Sequence, residues 1–146
     1  MQRLMVAALT SGAGKTSVTM GLAALWRQAG KTVQVYKTGP DYIDPQFHTA
    51  ITGRPCINLD PYFLDASELR ETFSRYQSEA DILLIEAAMG LTDGIAGQGD
   101  RASALEVART LDVPVLLLVA RGQEGDATRK IEALTPEDRA RLTGIL

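Results

Sequence analysis

Leu4-Met5-Val6-Ala7-Ala8-Leu9-Thr10-Ser11-Gly12-Ala13-Gly14-Lys15-Thr16-Ser17 runs from an apolar stretch through a glycine-rich turn into a Lys-Thr pair. The continuous apolar run at residues 4–9 fits a strand buried on both faces, as in a parallel sheet. Glycines in the turn let successive backbone N–H groups point inward and cradle phosphate oxygens. A helix starting just beyond adds the positive end of its dipole. In that setting Lys15 reaches the β- and γ-phosphates and the Thr16 hydroxyl ligates Mg²⁺. The candidate contacts for ATP are therefore Ser11, Gly12, Ala13, Gly14, Lys15, Thr16 and Ser17. The leading glycine usual in such loops is absent, with Ala8 and Leu9 in that region, which predicts a loop of altered shape.

Outward from this stretch the chain alternates strand and helix. A helix is expected over residues 14–29, with Val18, Leu22, Leu25, Trp26 and Ala29 on one face and Gly30 closing it. Residues 32–36 read as a second strand. A long Gly/Pro/Asp-rich loop then covers residues 37–64, and loops of that length are uncommon without a function. Helices are expected at 66–77 and 102–111, and strands at 81–86 and 113–120. The tail is helical over 126–142 with a break at Thr135-Pro136, and residues 143–146 begin another strand. This alternation predicts an α/β fold: a P-loop NTPase-like parallel sheet with helices on both faces.

Two further groups of residues belong at the same edge of such a sheet. Glu86 ends a strand, where doubly wound sheets bind ligands, and a carboxylate there can hold Mg²⁺ directly or through water. Gly90, Gly94, Gly97 and Gly99 follow it, a pattern expected of a ligand loop. The other group is Lys37-Thr38-Gly39-Pro40-Asp41-Tyr42-Ile43-Asp44-Pro45-Gln46-Phe47-His48. Lys37 can neutralise a transferred phosphoryl group or a substrate carboxylate. Asp41 and Asp44 can bind metal or accept hydrogen bonds from a substrate, and a plain solvated Asp-Pro turn is the competing reading.

Composition narrows the classes. The 146 residues carry a net charge of −3, which argues against a general nucleic-acid or anionic-membrane binder. The apolar run at 113–120 is too short to span a bilayer and contains Pro114. The apolar start leads into a glycine turn rather than a cleavage site, so it reads as a strand and not as a signal peptide. A single cysteine, Cys56, excludes an internal disulfide and suits a reducing cytoplasm. Following Pro55, it reads as a small packing residue, and His48 as a loop hydrogen-bonding residue with a substrate contact as the alternative.

Taken in order, these blocks resemble the cobyrinic acid a,c-diamide synthase family. The resemblance rests on Ser11 to Thr16, Tyr36 to Pro45 with Phe47-His48-Thr49, Thr52-Gly53-Arg54-Pro55, Asn58-Leu59-Asp60, and Glu86 with Met89-Gly90-Leu91 and Asp93-Gly94. Ala87-Ala88 stand where the family usually has a glycine first, and Thr92 replaces a common aromatic residue. Residues 133–146 resemble the related cobyric acid synthases.

The resemblance implies ATP-dependent amidation of carboxylates on a corrinoid, with ammonia drawn from glutamine. Lys15 and Thr16 would then serve ATP and Mg²⁺, Thr16, Asp41 and Glu86 would form the metal side, and Lys37, Asp44 and Asp93 would be the catalytic set. The expected chemistry is phosphoryl transfer to a carboxylate followed by attack of ammonia. The family's glutaminase domain, with its Cys-His-Glu triad, has no counterpart here, so the chain is expected to be a fragment or a shortened relative. The ammonia would come from a domain or chain outside these residues, and a homodimer is a candidate assembly. Two other classes stay open: a non-catalytic P-loop nucleotide-binding module, and a dethiobiotin synthetase-like ligase.

Overall fold

The computed structural model describes residues 1–146. Its elements run β1 (Gln2–Ala8), α1 (Lys15–Gln28), β2 (Val33–Thr38), α2 (Asp44–Thr52), β3 (Ile57–Leu59), α3 (Ala66–Arg75), β4 (Ile82–Glu86), α4 (Ala104–Leu111), β5 (Val115–Leu118), α5 (Glu124–Glu132), α6 (Pro136–Ala140) and β6 (Leu142–Ile145). The strands form one sheet in the order β3-β2-β4-β1-β5-β6, and every pairing is parallel. The expected parallel sheet with helices on both faces is therefore found. No helix is long and apolar enough to cross a membrane.

Period-two alternation along the strands sorts their side chains between two cores. Met5, Ala7, Tyr36, Leu83, Ile85, Val115 and Leu117 face α3 and α4, where Leu69, Phe73, Leu105 and Ala108 meet them. Val6, Ala8, Val33, Val35, Ile82 and Leu84 face the other way, onto Ala23, Val18, Leu22 and Trp26 of α1 and Ile51 of α2. Each central strand is covered on both sides, which is why its sequence is apolar without interruption.

Two expectations need correction. Leu25 is 62% exposed, because α1 lays its Lys15-Thr19-Ala23 row against the sheet and leaves Leu25 at the edge of the apolar arc. The segment over residues 37–64 is also not a loop: it holds the last two residues of β2, all of α2, and the edge strand β3. Its Asp, Pro and Gly residues are the punctuation of a short helix. Asp41 Oδ1 accepts from the backbone N–H groups of Ile43 (2.9 Å) and Asp44 (3.2 Å), satisfying donors at the helix start. Pro45 sits in the first turn, where a missing N–H costs little, and Gly53 ends the helix at φ 70°. That positive φ is a backbone region favouring glycine.

Candidate active site at the C-terminal edge of the sheet

Strand register builds this site before any loop contributes. Glu86 on β4 pairs with Lys37 on β2 and with Val6 on β1. Lys37 continues the row Val33-Val35, and Glu86 the row Ile82-Leu84, so both point to the α1 side at the carboxyl edge. Beyond β1, Gly12 (φ 76°) and Gly14 (φ 89°) turn the chain into α1 through left-handed backbone that a side chain would strain. Lys15 and Thr16 then open the helix over the ends of β1 and β4.

The side chains close on one another tightly. Lys37 Nζ donates to Glu86 Oε1 at 2.7 Å and Asp44 Oδ2 at 2.8 Å, and lies 3.4 Å from Asp41 Oδ2. The Thr16 hydroxyl donates to Glu86 Oε1 at 2.6 Å and lies 3.2 Å from Asp44 Oδ2. Glu86, with no exposed surface, accepts on its other oxygen from His48 Nε2 at 2.5 Å. Lys15 is nearly buried, with Nζ 3.4 Å from the Thr10 carbonyl oxygen. Beside them opens a cleft of about 460 Å³.

Charge states follow from these contacts. Burial opposes ionisation of Glu86, but hydrogen bonds from His48, Lys37 and Thr16 outweigh it and hold the carboxyl below its usual range. Burial likewise works against the Asp44 carboxylate, and the Lys37 ammonium reverses it, so that group also titrates low. Lys37 is pulled down by burial and raised more strongly by Asp44 and Glu86, a net upward shift. Lys15 is shifted down, first by burial and then by the neighbouring Lys37 charge.

Most of the residues singled out from the sequence meet in the cleft. Gly12, Gly14, Lys15, Thr16, Ser17, Lys37, Asp41, Asp44 and Glu86 line it, joined by Ala88 and Met89. Ser11, Ala13 and Asp93 are outside that lining. The Asp93 carboxylate instead accepts from the backbone N–H of Gly90 at 2.8 Å, tying down the turn after β4, and its charge is felt at Lys15. Gly90 is required by close approach, since a Cβ there would lie 2.4 Å from the Leu9 carbonyl oxygen. His48 is the residue of this cluster that the sequence places wrongly: it is a buried member of α2, not a loop residue. Its spacing of four from Asp44 was the available signal, because i and i+4 share a helix face. Cys56 packs against the α1-side core as expected.

The oxygens of Thr16, Asp44 and Glu86 suit a hard cation; Asp44 takes the place expected of Asp41, because Asp41 Oδ1 serves the start of α2 while Asp44 Oδ2 lies 3.2 Å from the Thr16 hydroxyl. No cluster of three or more His, Cys, Asp and Glu side chains forms a ready-made metal cage. Mg²⁺ does not require one: it is typically held by one or two carboxylates together with phosphate oxygens and water. The donor set therefore fits Mg²⁺ arriving with a nucleotide.

Residues 4–134 match the family model of the CobQ/CobB/MinD/ParA nucleotide binding domain. The chain belongs to that family. Within it, the chain is 44% identical over 116 residues to a cobyrinate a,c-diamide synthase from Synechococcus sp., covering 80% of this chain and 25% of that protein. A hydrogenobyrinate a,c-diamide synthase from Agrobacterium fabrum is 46% identical over 117 residues, covering 80% of this chain and 27% of that protein. These matches bear out the resemblance read from the sequence, and the chain spans about a quarter of the length of the curated relatives it matches.

Solved structures agree on the fold alone. The signal recognition particle receptor FtsY from Elizabethkingia anophelis superposes with a TM-score of 0.63 at 19% identity, covering 99% of this chain and 49% of that one. The signal recognition particle 54 kDa protein from Aeropyrum pernix K1, in complex with GDP, gives 0.58 at 20% identity, covering 90% of this chain and 32% of that one.

Proposed function

We propose that this chain is the ATP-binding synthetase domain of a cobyrinate a,c-diamide synthase-like enzyme, which activates a corrinoid carboxylate for amidation. The observation that carries this reading is the position of Lys37. It brings a second ammonium group to the phosphate-loop cleft, beside Lys15, and holds it between Glu86 and Asp44. A site that only holds nucleotide has no need of that second cation. A site that moves the γ-phosphoryl onto a carboxylate must neutralise charge on both partners.

Residues 11–17 hold the phosphates, with Lys15 on the β- and γ-phosphates. Thr16, Glu86 and Asp44 form the Mg²⁺ side. Asp41 shapes the turn into α2 and adds negative charge beside Lys37. When bound, Mg²⁺ neutralises phosphate charge and orients the γ-phosphoryl for in-line transfer. The substrate carboxylate oxygen attacks the γ-phosphorus and ADP leaves, giving an acyl phosphate. Ammonia then attacks the acyl carbon, inorganic phosphate leaves, and a proton is lost to give the amide. Lys37 steadies the phosphoryl oxygens in the first step. Asp93 secures the turn that borders the loop. The ammonia comes from glutamine hydrolysed by residues other than 1–146.

Calorimetric titration with ATP and Mg²⁺ tests the foundation. Lys15→Ala loses a charge-assisted phosphate contact, and binding should weaken by about tenfold or more. Equal affinity in variant and wild type would overturn the assignment. Glu86→Gln should reduce Mg²⁺-dependent chemistry more than nucleotide affinity. ATP turnover stimulated by a corrinoid polycarboxylate and not by diaminopelargonate separates this reading from the dethiobiotin synthetase-like one.

A further inference from the structure

We infer that His48 is a positioning residue: through Nε2–H it fixes one oxygen of Glu86 and thereby commits the other to the cleft. The division of labour on that carboxylate is complete. Oε2 accepts from His48 Nε2, whereas Oε1 takes both the Lys37 ammonium and the Thr16 hydroxyl. Neither His48 nor Glu86 has exposed surface, so water does not substitute for either partner. His48 Nδ1 makes no hydrogen bond, which leaves the contact to Glu86 as the ring's one polar anchor.

The backbone around His48 is held in place by its own bonds. Thr49 Oγ1 donates to the Pro45 carbonyl oxygen and accepts from the Cys56 N–H, tying α2 to the entry of β3. Thr52 Oγ1 donates to the carbonyl oxygen of His48 itself. The imidazole is therefore presented to Glu86 from a braced helix. Without that donor, Oε2 is a buried charged oxygen with no partner, and the carboxylate gains by rotating toward Lys37 and Thr16. Rotation would spoil the placement of Oε1 that the Mg²⁺ side of the proposed function relies on, and the inference rests on that reading.

The experiment has two independent arms. In the first, affinity for a fluorescent ATP analogue is followed as a function of Mg²⁺ concentration in the wild type, His48→Leu and His48→Gln. Loss of a residue that orients a metal-side carboxylate raises the Mg²⁺ midpoint by about tenfold or more. That shift is expected in His48→Leu, with metal-free nucleotide affinity within about twofold of wild type. His48→Gln places an amide N–H near the same point and should recover most of the loss. A role in packing alone would lower the melting temperature of both variants without moving the midpoint, and that result would overturn the inference.

The second arm needs neither nucleotide nor metal. His48 is the only histidine in the chain, so its ring-nitrogen NMR signals are unambiguous. The wild type should carry a proton on Nε2, and Glu86→Gln should shift that signal. A proton on Nδ1 with Nε2 bare, or signals indifferent to Glu86→Gln, would overturn the pairing even if His48→Leu failed to fold. If wild-type nucleotide affinity ignores Mg²⁺, the proposed function fails, and the nitrogen signals still decide whether His48 holds Glu86.

Discussion

Replacing Lys37 with methionine removes one ammonium group from the cleft while roughly keeping the length of the side chain. In the folded protein that ammonium lies 2.7 Å from Glu86 Oε1 and 2.8 Å from Asp44 Oδ2. Its loss leaves two carboxylates facing each other around the Thr16 hydroxyl. Breaking a buried pair by deleting one partner costs about 3–5 kcal/mol. The lower end applies here, because Glu86 keeps its bonds from His48 and Thr16 and the Asp44 side chain is 25% exposed. A loss of about 3 kcal/mol in a chain of this size lowers Tm by roughly 6–12 °C.

The pH dependence is a sharper signature than the size of the loss. In the wild type both carboxyls titrate below their ordinary values of 4.5 and 3.8. Their contribution to stability is therefore full above those values and lost as pH falls through the lower folded ones. In Lys37→Met the like-charge pair pushes both carboxyls upward, and the site destabilises the fold more as pH rises. The deficit should be largest near about pH 8 and shrink toward about pH 5, and millimolar Mg²⁺ should return part of it by neutralising the same oxygens. Thermal unfolding followed by circular dichroism over that range, with and without Mg²⁺, reads all three effects. A Tm within about 2 °C of wild type, or a deficit independent of pH, would show that Lys37 is not the counter-charge of this cluster.

Gly90→Ala places a Cβ 2.4 Å from the Leu9 carbonyl oxygen and 2.5 Å from Asp93 Oδ2. It should cost about 1–3 kcal/mol and weaken nucleotide binding by moving the phosphate loop; an unchanged Tm and affinity would contradict the close approach. Asp138→Asn breaks the paired bonds from Arg109 (2.7 and 2.6 Å) that join α6 to α4. Those bonds hold the Asp138 carboxyl below its usual 3.8, so the loss should be full at neutral pH and vanish as pH falls below that value. Arg109 is about one-third exposed, and the effect in urea unfolding should be about 1–2 kcal/mol. Cys56 should react slowly with iodoacetamide and release no glutamate from glutamine, since burial and then the Glu86 charge leave its thiol pushed up to about 12 while His48 is engaged by Glu86. Steady glutamate release that disappears in Cys56→Ser would refute this.

The fold was legible wherever one strand or helix carries its own signal. The apolar run into Gly12 and Gly14 gave both the central strand and the phosphate loop, and a carboxylate at the end of an apolar run placed Glu86 at the binding edge. The pairing of Lys37 with Glu86 was not legible, because register between strands is set by the packing of the whole sheet. Helix α2 was hidden for a different reason. Its Asp41, Pro45 and Gly53 are also the residues that build irregular turns, and only the paths of their backbone N–H groups tell the two apart. Missing that helix meant missing His48, whose alignment with Asp44 exists only at helical spacing. It also blurred the two acids, since Asp41 Oδ1 serves the helix start while Asp44 Oδ2 lies beside Thr16.

Stability alone gives no reason for this cluster. Well-packed apolar residues commonly replace a buried ion pair at equal or better stability. Here Lys37, Glu86 and His48 are buried together at the end of an otherwise apolar sheet face. The fold shows elsewhere how it uses charge for cohesion: Arg109 binds Asp138 and Asp100 to tie loops and helices together, away from the cleft. The Lys37 cluster bonds α1 and α2 to the sheet through Thr16, Asp44 and His48, but its central Lys37–Glu86 pair joins strands that backbone pairing already joins. Its charges instead border an open cleft whose floor is the phosphate loop. Such an arrangement is useful only to a ligand that brings charge of its own. The fold already holds the ammonium against the carboxylates, Lys37 Nζ lying 2.7 Å from Glu86 Oε1 and 2.8 Å from Asp44 Oδ2, so binding of a charged ligand need not create that order.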